Sequence, residues 1–284
     1  MAALVLLTGG FGLLYRHVVF TLVHDWSIDD NYSHGFLIIP LALYFTWERR
    51  TRLRAAVRQP NWIGVAVVLA SLCSLLAGIL GSELFLTRIS VLGTIAGSIL
   101  FLYGWHHLRI LLFPVAFLLL MIPVPAIIFN QIAFPLQLFA SRLGEMALMA
   151  FQIPVLREGN VINLANTSLE VAEACSGIRS LISLLTLGIV YGYFSDSRIW
   201  VRTMLALATF PIAIAANGFR VAGTGIAAHY YGSDAAQGFF HSFSGWLIFL
   251  AAFVMLFFVH RALLWVAPVK TAKKVAASFA APRV

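Results

Sequence analysis

Charged residues are scarce. Asp, Glu, Lys and Arg make up 11% of the 284 residues, against 61% hydrophobic ones. A soluble domain carries about 25% charged residues, so a water-facing surface is excluded for most of this chain. Cysteine is scarcer still: Cys73 and Cys175 exclude a disulfide framework and a thiolate metal centre. Acidic residues number 11 against 19 basic ones. The basic excess falls in short clusters between apolar runs, which marks membrane topology rather than a nucleic-acid stripe. No linker and no internal repeat divides the sequence, and a single domain over 1–284 is expected.

What the chain has in abundance is long apolar runs. Eight of them, at 3–23, 33–48, 61–80, 84–105, 108–122, 177–194, 199–219 and 241–265, approach the ~20 residues that cross ~30 Å of hydrocarbon. In lipid only helices and closed barrels satisfy their own backbone groups, and these runs are too continuous for barrel strands. The expected fold is therefore an all-α polytopic membrane protein with about eight transmembrane helices. The first run lacks a basic leader and a cleavage site, so it is expected to be a retained span. The second and fifth are short for a crossing, which leaves a re-entrant segment open at either. Cys73 sits in the apolar stretch Leu72-Cys73-Ser74-Leu75 and is expected to be a small buried residue.

An insertion at about 123–176 precedes the sixth run. It opens with Pro123-Val124-Pro125 and continues through a moderately apolar stretch, 126–153, expected as one or two interfacial or buried helices. From Arg157 to Val171 apolar and polar residues alternate about Asn166-Thr167-Ser168, the pattern of a small β-hairpin. Orientation follows from Arg49, Arg50, Arg52, Arg54 and Arg58, which belong on the cytoplasmic side. Alternation from there also puts Arg109, Arg198, Arg202, Lys270, Lys273 and Lys274 inside, with both termini and a C-terminal tail at about 266–284.

Under that topology three unusual segments meet at the outer face. They are Glu173-Ala174-Cys175-Ser176-Gly177-Ile178-Arg179, Asn217-Gly218-Phe219-Arg220 and His241-Ser242-Phe243-Ser244-Gly245. A thiol at a helix N-terminus ionises more readily than a free one, and Ser176 suits the N-cap. Cys175 is thus a candidate nucleophile, Arg220 a candidate oxyanion or substrate contact, and His241 a candidate acid and base. Asn217 shares the helix face of Arg220 and can orient it. Arg179 is a second substrate contact or a partner of Glu173 or Glu170. His229, in the same outer segment, rivals His241. His34 is expected to line the site or make a structural hydrogen bond. His24, Asp25, Asp29, Asp30 and His34 contain metal-binding types, but a solvated loop is the simpler expectation; no metal and no cofactor is expected.

These motifs, with Tyr32-Ser33-His34-Gly35 and Trp47-Glu48-Arg49-Arg50, resemble those of the exosortases and archaeosortases, in family order over most of the chain. The histidine at the third position is similar to the bacterial branch. The resemblance implies a cysteine peptidase or transpeptidase of the bacterial inner membrane, with Cys175 as nucleophile and Arg220 and His241 as partners. It further implies a substrate: an exported protein ending in a Pro-Glu-Pro motif, a hydrophobic helix and a basic cluster. The acceptor would be water or an envelope component, in a setting of exopolysaccharide production. Two other readings of the residues stand beside it. One makes Ser176 the nucleophile; the other is a transporter or lipid-handling protein without covalent chemistry.

Overall fold

The computed structural model describes residues 2–29, 31–165, 167–171, 178–232 and 239–266. Contacts divide the chain into two compact units, Met1–Ile132 and Ala133–Val284.

The first unit holds α1 (Ala2–Ile28), α2 (Gly35–Glu48), α3 (Arg50–Ala55), α4 (Ile63–Leu80), α5 (Leu84–Tyr103) and α6 (Trp105–Phe117). A short 3-10 helix, Leu118–Met121, follows, and α7 (Ala126–Ala150) begins at its end. In lipid, apolar side chains gain little by meeting each other, so helices pair where small residues let backbones approach. The α4–α5 hairpin pairs in this way. A Cβ at Gly97 would lie 2.8 Å from Val68 Cγ2, and one at Gly78 2.7 Å from Thr87 Cγ2. Cys73 lies on the other side of α4 and is exposed, a correction to the buried position expected. The α5-facing stripe is Gly64, Ser71, Leu75 and Gly78, which leaves residue 73 turned outward.

Polar contacts tie α1 and α2 to their neighbours. The Tyr15 hydroxyl pairs with the Thr94 hydroxyl at 2.7 Å, and Arg88 forms an ion pair with Asp25. Trp26 donates its indole N–H to the Met121 carbonyl at 2.9 Å. His34 Nε2 lies 3.1 Å from the Leu120 carbonyl oxygen. Gly35 packs directly under the Trp26 indole, where a Cβ would overlap the ring.

The second unit holds the rest of α7, strands β1 (Val155–Glu158), β2 (Val161–Leu164) and β3 (Ser168–Glu170), then α8 (Ile178–Ser195), α9 (Ile199–Tyr231) and α10 (Phe239–Val266). The strands form an antiparallel meander in the order β1-β2-β3, with Glu158 opposite Val161 and Asn163 opposite Ser168. The sheet thus has three strands where a two-stranded hairpin was expected. Positive φ at Gly159 makes the tight first turn. Ile162 and Leu164 face a core with Ala140 and Leu148 of α7 and Val221 and Ala228 of α9.

Four helical stretches among the described residues are long and apolar enough to cross a membrane: Ile63–Leu80, Leu84–Tyr103, Ile199–Tyr231 and Phe249–Val266. A fifth arises if Trp105–Met121 and Ala126–Ala150, bent by 78° at Pro123-Val124-Pro125, are one broken span. Gly35–Glu48 and Leu181–Ser195 are apolar but shorter. The chain is a multi-pass all-α membrane protein by these criteria, and the count of eight expected from sequence is not reached by them.

Candidate active site

α9 is the axis of the second unit. Its 33 residues rise about 50 Å, well past the ~30 Å of hydrocarbon. The seventh run was expected to end near residue 219; instead the helix continues to Tyr231 and stops at Gly232, whose φ of 86° suits glycine. Its lower part packs through Val201, Leu205, Ile212, Ala213 and Ala216 against Leu181 and Leu184 of α8 and Ala252 and Leu256 of α10. Its upper part packs against α7. A Cβ at Gly218 would meet Leu143 Cβ at 2.9 Å, and one at Gly225 would meet Leu148 Cδ1 at 2.8 Å.

Arg220 stands where these two packing regimes meet. It follows Ile199 by 21 residues, about 32 Å of rise, close to the ~30 Å thickness of hydrocarbon. It lies within about 40° of Ala213 and Ala216 around the helix, on the stripe that faces α8 and α10. Asn217, one turn earlier, is buried.

The register of the three helices is set by small residues. A Cβ at Gly192 of α8 would be 3.4 Å from Arg202 Cα, and one at Gly188 3.6 Å from the Leu205 carbonyl oxygen and 3.7 Å from Leu256 Cδ2. Tyr191 of α8 and His260 of α10 hydrogen-bond at 2.8 Å. α8 therefore runs antiparallel to α9 and parallel to α10. Leu205 and Leu256 flank one point on α8, and from that level Arg220 and position 241 are each fifteen residues away, about 22 Å of rise. The helices thus bring residues 220 and 241 to one height. Position 241 also falls within about 20° of the Ala252 stripe that packs on α8 and α9. Ile178, ten residues before Gly188, starts α8 about 7 Å short of the same level.

The other expected site residues fall as follows. Glu173, Cys175 and Ser176 lie outside the described residues, as do the side chains of Arg179 and His241, whose backbones are in the first turns of α8 and α10. His229 lies on α9, nine residues after Arg220, which is about 180° around the helix and faces away from the Arg220 stripe. His34 belongs to the first unit, where its ring contacts the Leu120 carbonyl. Asp25 is engaged by Arg88, Asp29 accepts from the Asn31 amide at 2.8 Å, and Asp30 is outside the described residues. Among the described residues no group of three His, Cys, Asp or Glu side chains gathers in metal-binding range.

Sequence reasoning overlooked Arg88. A lone arginine inside an apolar run was the available signal, because such a charge needs a partner. At the opposite end of α9, Asp196 is held by the Arg198 guanidinium, with Arg198 Nη2 2.6 Å from Asp196 Oδ2. That hydrogen bond lowers the Asp196 carboxyl to about 2. Arg202 closes the α8 C-terminus by donating to the Tyr193 and Asp196 carbonyls at 3.0 and 2.6 Å.

Comparison with curated proteins and with solved structures found no significant match. The family model described as transmembrane exosortase matches residues 26–258, most of both units and all three motifs. The chain belongs to the transmembrane exosortase family.

Proposed function

We propose that the protein is a membrane peptidase or transpeptidase that cuts the C-terminal sorting segment from exported proteins, with Cys175 as nucleophile. Family membership supports a sorting-signal enzyme. The observation that carries the residue assignment is the shared height of positions 220 and 241 beside the start of α8, three residues after Cys175.

In this reading the Cys175 thiolate adds to the scissile carbonyl carbon, and the Arg220 guanidinium hydrogen-bonds the oxyanion that forms. Collapse breaks the C–N bond; the departing amine takes a proton from His241, and a thioester on Cys175 remains. Water or an acceptor amine then attacks the thioester carbonyl and gives its proton to His241, and the thiolate leaves. Water makes the enzyme a protease; an envelope amine makes it a transpeptidase. Partial positive charge at the start of α8 favours the thiolate, with Ser176 in a supporting role beside it. Asn217 orients Arg220, while Arg179 and Glu173 are supporting or substrate-binding residues. The opposed face of His229 favours His241 as the acid and base. The substrate is an exported protein with a Pro-Glu-Pro, hydrophobic-helix and basic tail, processed at the outer face of the bacterial inner membrane with both termini cytoplasmic.

The test is processing of a tail-bearing reporter by the native protein and by Cys175→Ala and Ser176→Ala, read by gel shift and mass spectrometry. Loss of processing in Cys175→Ala with activity kept in Ser176→Ala is expected. The opposite pattern assigns the chemistry to the serine, and the product's new C-terminus identifies the acceptor.

A further inference from the structure

The first unit contains a second polar feature, at the end where α5 stops and α6 begins. A cavity of about 380 Å³ opens there between α3, α5 and α6. Arg54, Arg58, Tyr103 and His107 supply its polar lining, and Leu53, Ile99 and Leu111 the apolar part. No acidic residue lines it among the described residues.

Three observations point to an anion. The Arg58 guanidinium lies 5.2 Å above the Tyr103 ring, which holds its charge at the cavity. The segment carrying it is pinned to the end of α5, with the Gln59 amide donating to the Tyr103 carbonyl at 3.1 Å and the Asn61 amide to Leu100 at 3.3 Å. His107 is 6% exposed, and its Nδ1 is buried without a hydrogen-bond partner among the described residues. A buried ring nitrogen in that state is costly unless something fills its place. His107 also falls in the first turn of α6, where unpaired backbone N–H groups favour negative charge.

The apolar part of the cavity points to a lipid rather than a free ion. Ile99 and Leu111 continue onto membrane-apolar helices, and exposed Trp62 and Trp105 mark the interface at the same end. A headgroup phosphate would lie between the two arginines and His107, with the first acyl carbons on the leucine and isoleucine side chains. Basic pockets between helices at a membrane boundary suit such headgroups.

We propose that this cavity is a binding site for the phosphate of an anionic glycerophospholipid, independent of the chemistry at α8–α10. Full-length protein, delipidated in neutral detergent, is offered phosphatidylglycerol or phosphatidylcholine and examined by native mass spectrometry. Native protein should retain phosphatidylglycerol about tenfold more than phosphatidylcholine, and Arg54→Gln/Arg58→Gln should abolish the preference. Arg50→Gln/Arg52→Gln removes the same charge from the neighbouring stretch of chain outside the cavity and should leave it intact. His107→Phe, which keeps the packing on Tyr103, should weaken retention in a protein with unchanged unfolding temperature. Equal loss in both arginine pairs would reduce the effect to general attraction and overturn the proposal. Binding of inorganic phosphate alone as tightly as the lipid would overturn it as well.

Discussion

The packing of α7 on α9 sets where Arg220 stands, and Gly218→Ala tests it directly. The added Cβ would lie 2.8 Å from Leu143 Cδ1 and 2.9 Å from Leu143 Cβ. The first atom can rotate away; the second is fixed to the α7 backbone, so the helices must separate by several tenths of an ångström. Overpacking of that kind costs about 1–3 kcal/mol. Replacing a helical glycine by alanine returns about 1 kcal/mol of propensity, so the net loss is about 0–2 kcal/mol. Gly223, five residues on, has nothing within 4 Å among the described residues, and Gly223→Ala should gain the propensity alone. The two variants should therefore differ by about 1–3 kcal/mol, with Gly223→Ala the more stable. Tryptophan fluorescence during thermal unfolding in detergent at one scan rate compares them, since membrane proteins seldom unfold reversibly. Reporter processing should fall in Gly218→Ala as Arg220 is displaced. Equal stabilisation by both substitutions would refute the close approach of α7 to α9.

Arg88→Met should destabilise by about 3 kcal/mol, the lower end for breaking a buried pair because Asp25 keeps some solvent, and its unfolding temperature checks this. Gly35→Ala should displace the Trp26 indole, cost about 1–3 kcal/mol and raise proteolytic cutting near the 3-10 helix. Tyr191→Phe removes the bond to His260 and should cost about 1–2 kcal/mol by the same thermal assay. Asp196 has a depressed folded pKa, so its contribution is complete above its unfolded value of 3.8 and fades as pH falls toward about 2. Across that window the native protein should lose stability faster than Asp196→Asn, as unfolding temperature against pH would report.

The all-α membrane class was legible because lipid restricts the choice and the apolar runs are long. The three motifs were legible as clusters of chemistry-bearing residues at run ends. What escaped were features fixed by packing partners. The seventh apolar run reads as ending near residue 219, yet Gly225 is where Leu148 packs and α9 continues to Tyr231. Cys73 was read as buried because its run is apolar, but in lipid an apolar neighbourhood does not distinguish inside from outside. The Arg88–Asp25 pair joins residues 63 apart, beyond any local pattern. His34 and Gly35, conspicuous in the sequence, are engaged with Leu120 and Trp26, contacts that no spacing announces.

The central claim is a covalent bond between substrate and Cys175. Intact mass spectrometry of the native protein, quenched in acid at short times during turnover of the tail-bearing reporter, tests it most directly. The expected result is a mass increase equal to the processed reporter fragment, located on Cys175 by peptide mapping and released by hydroxylamine. An adduct on Ser176, or cleavage that proceeds unchanged in Cys175→Ala, would contradict the account.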